Sequence, residues 1–161
     1  MAWGAKTLAC AGLCLVLAHA APGCRKASQA DRVTINGRTW QVELATTAQQ
    51  RYQGLSGRRS LDDSGGMLFV YQRPKVLEFC MRDCHIPLDI AFITSDMRVT
   101  KVYTMAVEPD RAGRKQYSSG MAAQYGLEVG GGELARAGVV VGSRAELSAG
   151  IPSPLWAEPW P

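Results

Sequence analysis

Histidine is scarce in this chain, with two in 161 residues. One of them, His19, lies in a segment that reads as a removable leader, which leaves His85. A single histidine, no carboxylate pair at a recognisable spacing and no nucleophile elbow leave no catalytic constellation to name. The sequence points away from an enzyme. Phenylalanine is down to three residues, and the basic side chains form no stripe with aromatics, so nucleic acid is not an expected partner. The formal charge is only +4, and the small basic clusters, Arg58-Arg59 and Arg111 to Lys115, read as solvated loops. Gly130-Gly-Gly132 is followed by no Lys-Ser/Thr, so it is a turn rather than a phosphate loop. The redox-active Cys-x2-Cys spacing is missing. Internal repeats are absent as well, and no cofactor is expected.

What is present begins with an export signal. Lys6 supplies a positive n-region and Thr7 to Leu17 an apolar run that is too short for a permanent span of about 20 residues. Ala18-His-Ala20 fits ordinary signal peptidase, whereas Ala21-Pro-Gly-Cys24 resembles a lipoprotein box in which Pro22 is atypical. Of the five cysteines, Cys10 and Cys14 leave with the leader. Lipidation of Cys24 then leaves an even pair, Cys80 and Cys84, suited to an oxidising compartment. The expected organisation is a signal peptide over 1–23, a tether over 24–31, one domain over 32–149 and a Pro- and Trp-containing tail over 150–161. The protein is expected in the periplasm or cell envelope, anchored through a lipid at Cys24. About 130 mature residues suffice for one core and not for two.

The chain then reads as short strands. Val33 to Ile35 and Thr39 to Leu44 flank Asn36-Gly37, a hairpin signal. Thr47 and Gln50 stand at capping-box spacing, which predicts a helix to about Ser56 with Gly57 closing it. Met67 to Tyr71 is a strand, and Arg73-Pro74 breaks it. Val76 to Arg82 alternates, Leu88 to Thr94 is apolar on both parities, and Arg98 to Met105 alternates again. Residues 107–121 read as a surface excursion, Gln124 to Val129 as a strand, Glu133 to Ala137 as a helical turn and Arg144 to Ser148 as a last strand. About eight strands and one helix of any length predict a mainly β domain, closed as a compact barrel or jelly-roll-like sandwich. The tail reads as draped on the surface or mobile.

The chain is organised around Phe79-Cys-Met-Arg-Asp-Cys-His-Ile-Pro-Leu-Asp-Ile-Ala-Phe92. A strand buried on both faces makes Asp89 costly unless its carboxylate is paired or hydrogen-bonded. Asp89 is either a ligand-binding acid or a tie between segments, held by backbone groups or by Arg51, Arg58 or Arg82. Cys80 and Cys84 invite three readings: a disulfide, two separate buried thiols, or a copper or zinc site with His85 and Asp83. An extended strand would hold their α-carbons about 13 Å apart, against the roughly 4.4–6.8 Å of a disulfide, so a bond needs a bend at Met81 to Asp83.

These motifs resemble domain-of-unknown-function family 192 of bacteria and archaea, over Val33 to about Leu147. The resemblance rests on Glu43-Leu-Ala-Thr-Thr with Gln50 to Arg58, on Gly66-Met-Leu-Phe69, on the Phe79 to Phe92 motif and on Tyr125-Gly-Leu-Glu-Val129. It implies a compact β-barrel or jelly-roll-like fold and a tendency to export or lipid anchoring, with no established activity. Here Cys80 replaces the family's usual Trp, Asp83-Cys84 its Asn-Thr, and Ser56 the Met that follows Gly-Leu. The expected function is binding of an envelope ligand or partner protein around Asp89, Arg58, Glu128, Met81 and Asp83. A thiol or metal protein using Cys80, Cys84 and His85 is the alternative. A structural accessory docked through Trp156 and Trp160 is a third reading.

Overall fold

The structure is a computed structural model that describes Met1 and residues 30–152. The rest of the leader, Cys24, nearly all of the tether, and Trp156 and Trp160 lie outside the described residues. Strands β1 (Arg32–Ile35) and β2 (Arg38–Ala45) form the expected hairpin. Asn36 and Gly37 both take positive φ, 50° and 79°, as a two-residue turn matched to strand twist requires. Helix α1 (Ala48–Gln53) starts on the expected capping box. The Gln50 amide donates to the Thr47 hydroxyl at 3.2 Å, and the Thr47 amide donates to the Gln50 side chain at 3.0 Å. The helix stops at Gly54, not Gly57, because Gly54 turns the chain at φ 49° while its amide bonds Gln50 O at 2.8 Å.

The remaining elements are β3 (Gly65–Lys75), β4 (Glu78–Phe79), β5 (Leu88–Ile93), β6 (Val99–Met105), β7 (Tyr117–Ser118), β8 (Ala123–Gly130), α2 (Glu133–Arg136) and β9 (Ala145–Leu147). Three of them differ from the sequence reading. Strand β3 runs through Arg73-Pro74, where a register shift against β8 between Val70 and Lys75 accommodates the proline. Only two residues of the expected Val76–Arg82 strand pair, as β4. Their partner is β7, which lies inside the stretch read as a surface excursion.

Seven strands form one sheet in the order β6-β5-β8-β3-β2-β1-β9. Strands β2 and β3 run parallel, with α1 in their crossover, and the other neighbours are antiparallel. The sheet curls into a half-barrel. Its two ends meet at one corner, where Arg98 bridges Arg144 and the Val99 amide bonds Ser143 O at 2.9 Å. The mainly β, barrel-like expectation is therefore met.

Alternation along the central strands makes two cores. The enclosed one takes residues from all seven strands, including Val33, Trp40, Leu68, Ala91, Val99, Tyr125 and Ala145, and α2 adds Leu134. Ile151, placed by the sequence reading in the tail, is buried in this core as well. The outer core lies between the convex face and the β4–β7 ribbon. An edge-to-face ladder, Phe69–Phe79–Phe92–Tyr103–Tyr117, with centroids 4.7 to 6.3 Å apart, fastens the ribbon down. Each such pair adds about 0.5–1.5 kcal/mol beyond area burial. Strand β5 lies between the two cores, so all six of its residues are buried.

Candidate functional site

Parity on β8 decides which acid faces which core. Tyr125, Leu127 and Val129 enter the enclosed core, so Gln124, Gly126 and Glu128 face outward beneath the ribbon. Position 126 must be glycine: a β-carbon there would stand 2.9 Å from Phe79 Cζ. Phe79 thus lies flush on β8, and next to it a cavity of about 190 Å³ opens between β8, β3, β4 and the end of α1. Phe69, Tyr71, Phe79, Cys80, Cys84 and Glu128 contribute to its walls.

Glu128 is 4% exposed, and its carboxyl has no hydrogen bond or ion pair among the described residues. Burial pushes its pKa up to about 8, since the apolar surroundings penalise the anion. Nearby, burial raises the Cys84 thiol to about 11, and the Glu128, Cys80 and Asp83 charges push it in the same direction. Tyr71 is raised by burial too, lowered by Arg51 and raised again by Glu128.

Two guanidinium groups stand at the mouth. Arg51 lies 4.8 Å from the Tyr71 ring centre and donates to Thr46 O at 2.5 Å and Val70 O at 3.1 Å. Arg82 stacks 3.8 Å from the Tyr52 ring centre and donates to Tyr52 O. Neither has a carboxylate partner among the described residues. Exposed Glu78 also lines the mouth.

The other residues singled out by sequence are dispersed. Asp89 pairs in register with Val129, so it faces away from Glu128. Its Oδ2 accepts the Leu134 amide of α2 at 2.9 Å, while buried Oδ1 has no partner among the described residues. It is the tie between segments, held by backbone and not by Arg51, Arg58 or Arg82. Arg58 pairs with Glu43 at 2.6 Å beside a separate groove. Met81 is fully buried in the outer core and does not line the cavity beside Glu128. Asp83, at φ 50°, makes the bend foreseen between the cysteines and points to solvent, with His85 Nε2 at 3.5 Å and Arg111 Nε at 3.8 Å.

Cys80 and Cys84 are both free thiols, the first half-buried and the second buried. His85 turns instead to Asp83 and Arg111, whose Nη1 lies 3.2 Å from its Nδ1. No group of three His, Cys, Asp or Glu side chains is placed to hold a metal among the described residues, so the copper or zinc set of Cys80, Cys84 and His85 is not assembled. Sequence reasoning named Glu128 and both cysteines, missed Tyr71, and considered Arg51 and Arg82 only as partners for Asp89, which neither of them contacts. No local signal marks those three, because the cavity joins α1 to strands brought in from far along the chain.

Residues 31–147 match the profile of a family described as uncharacterized ACR, domain-of-unknown-function family 192. No curated protein matches the chain. Among solved structures, a protein of unknown function from Novosphingobium aromaticivorans is 32% identical, over 79% of this chain and 93% of that one, with a TM-score of 0.67. A chain from Sinorhizobium meliloti, described as a proposed transcription regulator, is 33% identical over 77% and 98%, with a TM-score of 0.66.

Proposed function

The chain belongs to domain-of-unknown-function family 192, and on that premise we propose that it is an exported envelope protein, lipid-anchored at Cys24, whose β domain binds a small polar ligand beside Glu128. Export and anchoring rest on Lys6, the short apolar run and Gly23-Cys24. One observation carries the binding reading: a buried carboxyl, without a partner among the described residues, at the edge of a cavity. An isolated buried acid destabilises a fold, and a ligand that satisfies it would offset that cost. The cavity is smaller than the roughly 300–1,000 Å³ of drug-sized sites, so the ligand is small.

Cys80→Trp tests this, because an indole there would fill the space. Small-molecule titrations followed by amide NMR should shift the Phe79, Cys80 and Glu128 resonances, and the variant should lose those shifts. Shifts confined to the groove beside Arg58 would move the site elsewhere.

The thiol or metal alternative keeps one observation, that Cys80 and Cys84 line the same cavity. Copper or zinc uptake that Cys84→Ser abolishes would favour it. The accessory reading depends on Trp156 and Trp160 and would be supported if deleting the tail changed the size of a native complex.

A further inference from the structure

The wall of the cavity carries both an acid and two guanidinium groups. Glu128 is buried, has no partner among the described residues, and borders the space. Arg51 and Arg82 stand at the mouth, where backbone carbonyls and aromatic faces take part of their donor capacity and no carboxylate neutralises them. Tyr71 feels both Arg51 and Glu128, and Cys84 feels both Arg82 and Glu128. Both side chains line the cavity together with Glu128, Arg51 and Arg82. Exposed Glu78 offsets one of the two cations, and the mouth remains positive on balance. A purely anionic ligand would meet the arginines and leave the Glu128 carboxyl to face an apolar or acidic group. A purely cationic one would satisfy Glu128 and be repelled at the mouth.

We infer that the ligand is a small zwitterion of the α-amino-acid kind, with its ammonium on Glu128 and its carboxylate on Arg51 and Arg82. This rests on the binding reading above and adds the chemical class. The ammonium donates to Glu128, which releases its proton to solvent as the ligand binds, and the ligand carboxylate accepts from guanidinium N–H groups still free. Phe69 and Phe79 offer a short apolar wall, which with the small volume limits the side chain to a few carbons.

Isothermal titration of the full chain with L-alanine, propionate, ethylamine and D-glucose near neutral pH tests it. Alanine should bind at least about tenfold more tightly than propionate or ethylamine, a difference set by losing one charged contact. Glu128→Gln should weaken alanine by about tenfold or more and propionate by less than about twofold; Arg82→Gln should weaken both. Circular dichroism checks that each variant folds, and Arg51→Gln serves as a second mouth variant if Arg82→Gln does not. Propionate, ethylamine or glucose binding as tightly as alanine would overturn the zwitterion while leaving a small-ligand site. Silence from all four probes would overturn both.

Discussion

The unpaired acid on β8 makes a quantitative claim about stability. The Glu128 carboxyl has a folded pKa of about 8 against an ordinary 4.5. Between those values the folded chain holds a proton that the unfolded chain releases. Stability is therefore greatest below about pH 4.5, falls as pH rises, and levels off above about pH 8. At 1.36 kcal/mol per unit, the full loss is about 5 kcal/mol, of which about 3 kcal/mol is already gone at pH 7. That is a large share of the roughly 5–15 kcal/mol that holds a domain folded.

The charged and titratable groups that line the cavity with the acid are Arg51 and Tyr52 from α1, Tyr71 from β3, Glu78 from β4, and Cys80, Arg82 and Cys84 just beyond β4, while β5 places apolar Ile90 opposite it. Tyr71 is raised above 10.0 and Cys84 to about 11, so neither loses its proton in that window. Urea unfolding of the wild type and of Glu128→Gln, from about pH 4.5 to 8, isolates the effect, because the amide keeps the shape and removes the titration. The variant should gain about 3 kcal/mol on the wild type between the acid end and neutrality. Two stability curves that run parallel across the whole range would refute the reasoning, because Glu128 would then be ionised and satisfied in the folded protein.

Other expectations follow from the same geometry. Asp89→Ala removes the acceptor of the buried Leu134 amide and should cost about 1–3 kcal/mol in chemical denaturation, without changing ligand affinity at the cavity. Gly126→Ala drives a methyl into Phe79 Cζ at 2.9 Å; it should lower stability by about 1–3 kcal/mol and shift the aromatic NMR signals of the Phe69–Phe79–Phe92 ladder. In the folded protein, iodoacetamide should modify Cys80 before Cys84, which is buried with its thiol raised to about 11. Tandem mass spectrometry would read the order, and faster labelling of Cys84 would contradict the packing.

Sequence by itself determined what depends on neighbours a few residues apart. Asn36-Gly37 dictates the hairpin because both positions must take positive φ. Thr47 and Gln50 start α1 because their side chains reach each other's backbone across one turn. Apolar residues on both parities of β5 require two buried faces, and its two cores supply them. The same logic exposed Asp89 as an acid needing a partner. Which partner, and which acid faces a cavity, could not be read locally. Asp89 and Glu128 look equivalent along the chain, one buried acid in each of two apolar strands. Only the antiparallel register of β5 against β8, with Asp89 opposite Val129, puts them on opposite faces. Asp89 then meets the amide of α2, 45 residues away, while Glu128 meets the space beneath a ribbon made by pairing Phe79 with Tyr117. Long-range pairings of this kind leave no periodic trace in either segment, because their free energy is gained only once distant strands have closed on each other. The tertiary structure alone turned one acid into a tie between segments and set the other in the wall of a cavity.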